Sequence, residues 1–225
     1  MRARLAPAIL LLALLPSFVL TAAQDAPAPK PRAQMLVATR DLPDPLFHDS
    51  VVLMLPVKEG PLLVGLIINK PSKIKIRDVF PDSPGLQQSD AVAYFGGPVD
   101  AAVVARSAVF RSKTPPKGAT LVFADVYVTF DPGEILALAE NAPQASTVRI
   151  FLGRAQWAQQ QFDNEVAHGA WHILPATPDS VFSSLPEFLW RSLIDRAEPR
   201  PVAQSAPPRR PPSSVIPSRS AFFAD

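Results

Sequence analysis

Short runs of branched and aromatic residues alternate with turn-forming residues along most of the chain. Each run is bounded by Pro, Gly or Asp, and this pattern is typical of β-strands. The pattern predicts about eight strands. They cover Met35–Ala38, Ser50–Leu55, Leu62–Ile68, Val92–Phe95, Val103–Phe110, Val126–Phe130, Val148–Leu152 and Trp171–Leu174.

Helical signals are fewer and lie in the C-terminal half. The run Asp131-Pro132-Gly133-Glu134 offers an N-cap oxygen, a proline at the first helical position and a glutamate three residues after the cap. It predicts a helix that ends near Asn141. A second helix is predicted over Ala158–Ala167, followed by Gly169 as the left-handed residue after the helix end.

A third helix is predicted over Pro186–Arg196, with an apolar stripe of Phe188, Leu189, Leu193 and Ile194. The large aromatic residues of this last third are interpreted as core packing. Because the strands come first and the helices come late, the order favours an α+β domain over a doubly wound parallel sheet.

The N-terminus has the three parts of a secretory signal. Arg2 and Arg4 form a positive start, Leu5–Leu20 is apolar and uncharged, and small residues precede Gln24. We expect residues 1–23 to be a signal peptide cleaved after Ala23, which predicts a periplasmic or secreted protein with no membrane-spanning helix left. The alternative is an uncleaved anchor, because the apolar run approaches the roughly 20 residues that span a bilayer.

Composition divides the rest of the chain into three parts. Residues 24–34 are a Pro-rich linker, residues 35–196 are long enough for one domain, and residues 197–225 are a tail rich in Pro and Arg that we expect to be disordered. The tail is basic, whereas acidic residues outnumber lysine and arginine in the domain. Weak contact of the tail with an anionic surface is one interpretation, and a solvated linker is the simpler one.

The chain has no cysteine, so it forms no disulfide and offers no thiolate for catalysis or metal binding. His168 and His172 have the spacing of two zinc ligands on a helix, but Gly169 breaks that helix. We therefore expect neither a metal nor a cofactor.

Three punctuated stretches stand out within the domain. The first is Asp44-Pro45-Leu46-Phe47 running into Ser50-Val51-Val52-Leu53, the second is Gly65-Leu66-Ile67-Ile68-Asn69-Lys70-Pro71, and the third is Phe95-Gly96-Gly97-Pro98-Val99. Gly65 allows a close approach, Pro71 is expected to end its ladder by removing a donor, and Gly96 to Pro98 predict a turn. The amide of Asn69 is interpreted as a cap for a neighbouring loop. The alternative is a ligand-site lip formed by Asn69, Lys70, Gly96 and Gly97.

These stretches resemble the YqgE/AlgH family. Its pattern runs Asp-Pro-x-Phe-x-x-Ser-Val-Val-Leu, Gly-Leu-x-Leu-Asn-Arg-Pro and Gly-Gly-Pro-Val, and then a block with Gly-Tyr-Ala-Gly-Trp, Gln-Leu-Glu and Gly-x-Trp. The first three blocks match nearly residue for residue. In the fourth, Gly153, Trp157 and Trp171 fall in register, whereas Arg154 and Gln156 depart. The resemblance covers about Met35 to Arg191.

The resemblance implies a mixed, largely antiparallel, bifurcated sheet that forms a pseudo-barrel flanked by helices in a single α+β domain. It brings no established biochemical activity and no catalytic residues. One member is named for a proposed role in gene regulation, but export is hard to reconcile with such a role. This chain departs from typical members in its signal and its long tail.

Three hypotheses for function follow. The first is a non-catalytic exported binding or accessory protein, with a small molecule or a protein rather than nucleic acid as its partner. The second is a cytoplasmic transcription-related regulator, and the third is a hydrolase-like enzyme of unidentified type. His48-Asp49-Ser50 holds the letters of a triad, but neighbours on an extended chain face opposite ways, so we predict no enzyme.

Overall fold

The computed structural model of the chain describes residues 33–101, 106–114, 116–141 and 147–199. These residues all fall within one compact unit. The predicted signal peptide and cleavage site, most of the linker, most of the tail and the start of the strand predicted from Val103 lie outside the described residues.

The described residues contain eleven strands. They are β1 (Gln34–Ala38), β2 (Val51–Glu59), β3 (Leu62–Ile67), β4 (Pro71–Lys75), β5 (Val92–Phe95), β6 (Arg106–Arg111), β7 (Thr120–Phe123), β8 (Val126–Thr129), β9 (Val148–Leu152), β10 (Ala155–Ala158) and β11 (Trp171–Pro175). Each of the eight predicted strands is present, with ends shifted by a few residues. The sequence pattern missed β4, β7 and β10, which are only four or five residues long.

The strands form two sheets. The first sheet has the order β10-β3-β2-β1-β11 and is antiparallel throughout. The second has the order β4-β5-β9-β6-β8-β7, in which β5 and β9 are parallel and the other neighbours are antiparallel. The largely antiparallel α+β domain is confirmed.

The three predicted helices are also present. The helices are α1 (Ile76–Val79), α2 (Pro132–Asn141), α3 (Gln159–Ala167), α4 (Pro178–Val181) and α5 (Pro186–Ala197), and a short 3-10 turn covers Pro84–Leu86. The Asp131 carboxylate accepts from the backbone N–H of Glu134 at 2.8 Å, as its N-cap position predicts. Among the described residues, no helix combines the length and apolar character needed to cross a membrane.

The buried side chains fall into three clusters that follow the layers of the fold. The first cluster joins both sheets and α5, for example through Val51, Phe151 and Leu193. The second packs α1 and α2 on the second sheet, and the third includes two tryptophans on the first sheet beside α3. The core therefore has one layer between the two sheets, to which α5 contributes, and two further layers in which helices pack on a sheet.

Two local predictions are wrong. Pro71 does not end a ladder but begins β4, where it pairs with Tyr94. Because β4 is an edge strand, the missing N–H leaves the rest of the sheet intact. Phe188 is 58% exposed and lies off the buried stripe of α5, whereas Leu189, Leu193 and Ile194 are buried as predicted.

Candidate functional site

Asn69 and Lys70 hold the turn that precedes β2. The side-chain oxygen of Asn69 accepts from the Val51 backbone N–H at 2.7 Å, and its nitrogen donates to the Asp49 carbonyl at 2.9 Å. Lys70 Nζ donates to the Leu46 carbonyl at 2.8 Å. Within the turn, the Asp44 carboxylate accepts from the backbone N–H of Leu46 at 2.8 Å. Asn69 is thus a cap, and its amide is engaged on both sides.

Opposing influences act on the pKa of Lys70 at this turn. Partial burial lowers the pKa of Lys70, while the carboxylates of Asp49 and Asp44 act in the opposite direction. Pro45 is exposed, Phe47 is half-buried, and Ser50 is fully buried. These contacts account for the first two motif stretches as parts of the fold.

Gly96, Gly97 and Gly153 form a junction between the two sheets. The Gly96 N–H donates to the Leu152 carbonyl at 2.8 Å, and the Gly96 carbonyl accepts from Ile67 at 2.9 Å, so this residue bonds to both sheets. A Cβ atom on Gly96 would overlap the Gly153 carbonyl oxygen, and one on Gly153 would overlap the Gly97 oxygen. Only glycine permits this backbone-to-backbone approach.

The remaining motif positions also have packing roles. A Cβ atom on Gly65 would lie 2.6 Å from Val52, so the predicted close approach is confirmed. Pro98 is exposed, and Val99 next to it bridges to Arg154. The lip predicted from Asn69, Lys70, Gly96 and Gly97 is mostly buried, and a ligand contact there stays a prediction.

Trp157 and Trp171 share one carboxylate. Both indole N–H groups donate to Oε2 of Glu165 at 2.9 Å, and Phe47 packs against both rings at centroid distances of 5.6 and 5.7 Å. The carboxylate satisfies two buried donors on β10 and β11, the two edge strands of the first sheet, so this part of the motif is structural.

The histidines form no catalytic or metal constellation with their sequence neighbours. Residues 45–49 form turns rather than an extended strand, and His48 Nε2 lies 3.4 Å from Asp49 Oδ1. The Ser50 hydroxyl is nevertheless buried and has no hydrogen-bond partner among the described residues. His172 contacts Glu198 at 2.7 Å. Within the described ranges, no group of three or more His, Cys, Asp or Glu residues is placed to hold a metal ion.

A pocket of about 540 Å³ lies beside the N-terminal parts of β5 and β9, before the residues at which these two strands pair. The ladder between these strands consists of only two residue pairs, Tyr94 with Phe151 and Phe95 with Leu152. The residues before those pairs, Val92 on one strand and Val148–Ile150 on the other, line the pocket. Its remaining walls are the 3-10 turn, residues 88–91 and the end of α2. We call it the strand-end pocket.

Arg149 is the most unusual residue of the strand-end pocket. Its side chain is 2% exposed, donates from Nη1 to the Ile68 carbonyl at 3.0 Å and from Nη2 to the Ser183 carbonyl, and lies 4.6 Å from the ring centre of Tyr94. Burial lowers the pKa of Arg149, and burial raises the pKa of Tyr94. Among the described residues, no carboxylate forms an ion pair with Arg149.

The acidic residues of the pocket are engaged elsewhere. Asp90 accepts from Lys75 Nζ at 2.9 Å and from Arg77 at 3.4 Å, so cations already surround it. The hydrogen bond from Lys75, together with the charges of Lys75 and Arg77, lowers the pKa of Asp90. Glu140 accepts from the Ser83 hydroxyl at 2.6 Å.

The sequence pattern does not mark Arg149 or Tyr94 as site residues. The available signal was one cation inside the otherwise apolar run Val148-Arg149-Ile150-Phe151-Leu152, which the structure buries on both faces. A charge in such a strand requires an internal partner. The pattern could not show that its partners are carbonyl groups from distant segments.

Comparison with known proteins settles the family. A family model described as AlgH-like matches residues 35–201, which is most of the chain. The chain belongs to the AlgH-like family. The resemblance drawn from the motif stretches is therefore confirmed.

The relatives of this AlgH-like chain include UPF0301 proteins of several actinobacteria. One from Streptomyces coelicolor is 33% identical over 164 residues, which cover 72% of this chain and 84% of the relative. One from Thermobifida fusca is 32% identical over 167 residues, with the same coverage of both chains.

Two solved structures share the fold. The solution structure of the AlgH protein from Pseudomonas aeruginosa has a TM-score of 0.59 at 23% identity and covers 77% of this chain and 90% of its own. A crystal structure of a Corynebacterium diphtheriae protein has a TM-score of 0.58 at 23% identity, with 78% and 89% covered. At this identity the likeness concerns the fold.

Proposed function

We propose that this AlgH-like chain is an exported, non-catalytic binding or accessory protein that holds a small organic molecule in the strand-end pocket. The observation that carries this proposal is the pocket itself. Its volume of about 540 Å³ lies within the range of small-molecule sites, and its lining combines apolar side chains with a few polar groups.

The lining supports binding rather than proton transfer. Arg149 remains protonated at any physiological pH, so it can hold an anion but cannot serve as a base. Asp90 is held by two cations, and Glu140 accepts a hydrogen bond from Ser83. The titratable groups of the pocket thus have positions and partners that suit a fixed binding surface.

Export is supported by the N-terminal sequence. The positive start, the apolar run and the small residues before Gln24 predict a mature chain that begins at Gln24. Fractionation of cells followed by mass spectrometry of the protein's N-terminus tests this. A mature product outside the cytoplasm is expected, and a full-length cytoplasmic product would contradict export and favour the regulator hypothesis.

Binding is tested with two pairs of fluorinated probes of equal shape. The pairs are 4-fluorobenzoate with 4-fluorobenzamide and 3-(4-fluorophenyl)propanoate with its primary amide, observed by ¹⁹F NMR with the mature protein. We expect line broadening for at least one probe. If all four probes give unchanged lines, the proposed function is wrong.

A pocket-filling variant shows whether the probe binds in the strand-end pocket. Ala91 is exposed and lines the strand-end pocket, so Ala91→Trp fills the opening without disturbing the core. Ala167→Trp is the control, because Ala167 is exposed at the end of α3. Ala91→Trp should abolish the broadening and Ala167→Trp should leave it unchanged. Equal broadening in both variants would place binding elsewhere and contradict the proposal.

A further inference from the structure

We propose that the strand-end pocket binds an acylated amino-acid amide, and that the backbone of β9 holds this ligand as it would hold one more residue of a neighbouring strand. This inference rests on the proposed function and specifies the chemistry of its ligand. It depends on the direction of the backbone groups of β9 and on the residue at which β5 separates from that strand.

Strand β9 turns alternate backbone groups to its two neighbours. In an antiparallel pair, successive residues alternately exchange hydrogen bonds with the partner strand and turn their N–H and C=O groups away from it. The Arg111 N–H donates to the Thr147 carbonyl at 2.9 Å. Arg149, two residues further along β9, therefore also bonds to β6. Val148 and Ile150 turn their N–H and C=O groups to the other side, toward β5.

Strand β5 turns backbone groups into the same space. The Phe95 N–H donates to the Lys70 carbonyl at 2.9 Å. The Ala93 carbonyl accepts from the Ser72 hydroxyl at 2.7 Å. Phe95 and Ala93 thus face β4, and the backbone groups of Val92 lie on the β9 side because the direction alternates along a strand.

The ladder stops before these groups of β5 and β9 meet. Its first pair is Tyr94 with Phe151. The pair before it would be held by a bond from the Ile150 N–H to the Val92 carbonyl, and this pair is not formed. The Ile150 N–H has no acceptor among the described residues, although Ile150 is only 4% exposed. Because buried N–H groups without an acceptor are rare, an acceptor from a ligand is expected there.

The strand-end pocket occupies the space that the missing pair leaves open. Val92, Val148 and Ile150 all line it. In a parallel ladder, one residue would donate its N–H to the Val148 carbonyl and accept from the Ile150 N–H through its C=O. An acylated amino-acid amide carries these two groups at the spacing of a strand. Ile76 and Leu86 pack with Ile150 and line the pocket too, so they suit an apolar acyl group.

A matched pair of ligands tests the peptide unit by isothermal titration of the mature protein. The first ligand is 3-(4-fluorophenyl)propanoylglycine N-methylamide. The second has an ester oxygen in place of the glycine N–H, which keeps the shape and removes the donor to the Val148 carbonyl. We expect the amide to bind about tenfold more tightly than the ester, since the ester leaves that carbonyl without a donor.

The outcomes separate this inference from the proposed function. Equal binding of the amide and the ester would overturn the inference and leave the proposed function standing. Binding of the four simple fluorinated probes without binding of the glycine amide would do the same. If none of the six compounds binds, the proposed function is wrong.

Two further comparisons locate the ligand and limit its size. Binding of the glycine amide should be abolished in Ala91→Trp and unchanged in Ala167→Trp, and retained binding in Ala91→Trp would contradict the site. A triglycine extension at the amide end should not tighten binding. Tighter binding of the extended compound would overturn the small-ligand class in favour of the end of a protein chain.

Hydrogen exchange of the wild-type protein needs no variant and remains valid if Ala91→Trp fails to fold. Without ligand, the Ile150 N–H should exchange about tenfold or more faster than the N–H of Arg149, which bonds to β6. Saturating glycine amide should slow exchange at Ile150 about tenfold more than at Arg149. Equal protection of both groups without ligand, or equal slowing with it, would overturn the proposal.

Discussion

Single residues of the family motif join separate elements of the fold. Asn69 ties the end of β3 to the turn before β2, and Glu165 joins Trp157 to Trp171. Gly96 and Gly153 let backbones touch where the sheets meet. These roles explain why such residue types stand at these positions without any catalytic demand on them.

Replacement of Glu165 tests the shared carboxylate. Glu165→Leu leaves two indole donors without an acceptor and should lower the free energy of unfolding by about 2 to 5 kcal/mol. Glu165→Gln retains one acceptor oxygen and should lower it by about 1 kcal/mol. Urea unfolding followed by tryptophan fluorescence measures both. Asp163→Ala on the same helix is the control, and an equal loss in all three variants would contradict this role.

Gly153 and Gly169 make a matched pair for the sheet junction. Both have a left-handed backbone, with φ of +70° and +72°, but a Cβ atom on Gly169 would meet nothing within 4 Å. Gly169→Ala should therefore lower the free energy of unfolding by about 1 to 2 kcal/mol, the cost of a left-handed backbone at alanine. In Gly153→Ala the new Cβ atom also overlaps the Gly97 carbonyl oxygen. This variant should lower the free energy of unfolding by about 3 kcal/mol or more. Similar thermal unfolding of both variants would refute the close approach.

At the level of elements, α5 shows how tertiary packing selects one helix face. Leu189 is buried in the core between the sheets, whereas the preceding Phe188 is 58% exposed. Leu189→Ala should lower the free energy of unfolding by about 2 to 4 kcal/mol, while Phe188→Ala should change it by about 0.5 kcal/mol or less. Chemical denaturation compares the two, and a larger loss for Phe188→Ala would restore the stripe predicted from sequence.

Strand β9 shows the same selection in a sheet. Val148, Ile150 and Leu152 face α1 and α2, while Phe151 faces the other sheet. Arg149 shares the alternation of Phe151 and donates to carbonyls beyond the sheet. The alternation thus places the side chain of Arg149 on the face of the strand opposite α1 and α2.

For the whole molecule, local sequence patterns predict most strands and helices. Long-range contacts determine the short strands, the strand pairing and the pocket. The branched runs and the Asp131 cap were sufficient to place eight strands and three helices. Strand β10 has only four residues, and its pairing with β3 depends on contacts far along the chain. The strand-end pocket was not predictable, because it exists only where β5 and β9 diverge.

The motif stretches build the fold, and we propose that the strand-end pocket binds the ligand. A ¹H–¹⁵N titration of the mature protein with 3-(4-fluorophenyl)propanoate distinguishes the two regions. We expect shifts at Ser89, Ala91, Val92 and Arg149, with the backbone signals of Lys70 and Gly97 unchanged. Shifts confined to Asn69, Lys70, Gly96 and Gly97 would contradict it and favour the lip as the binding site.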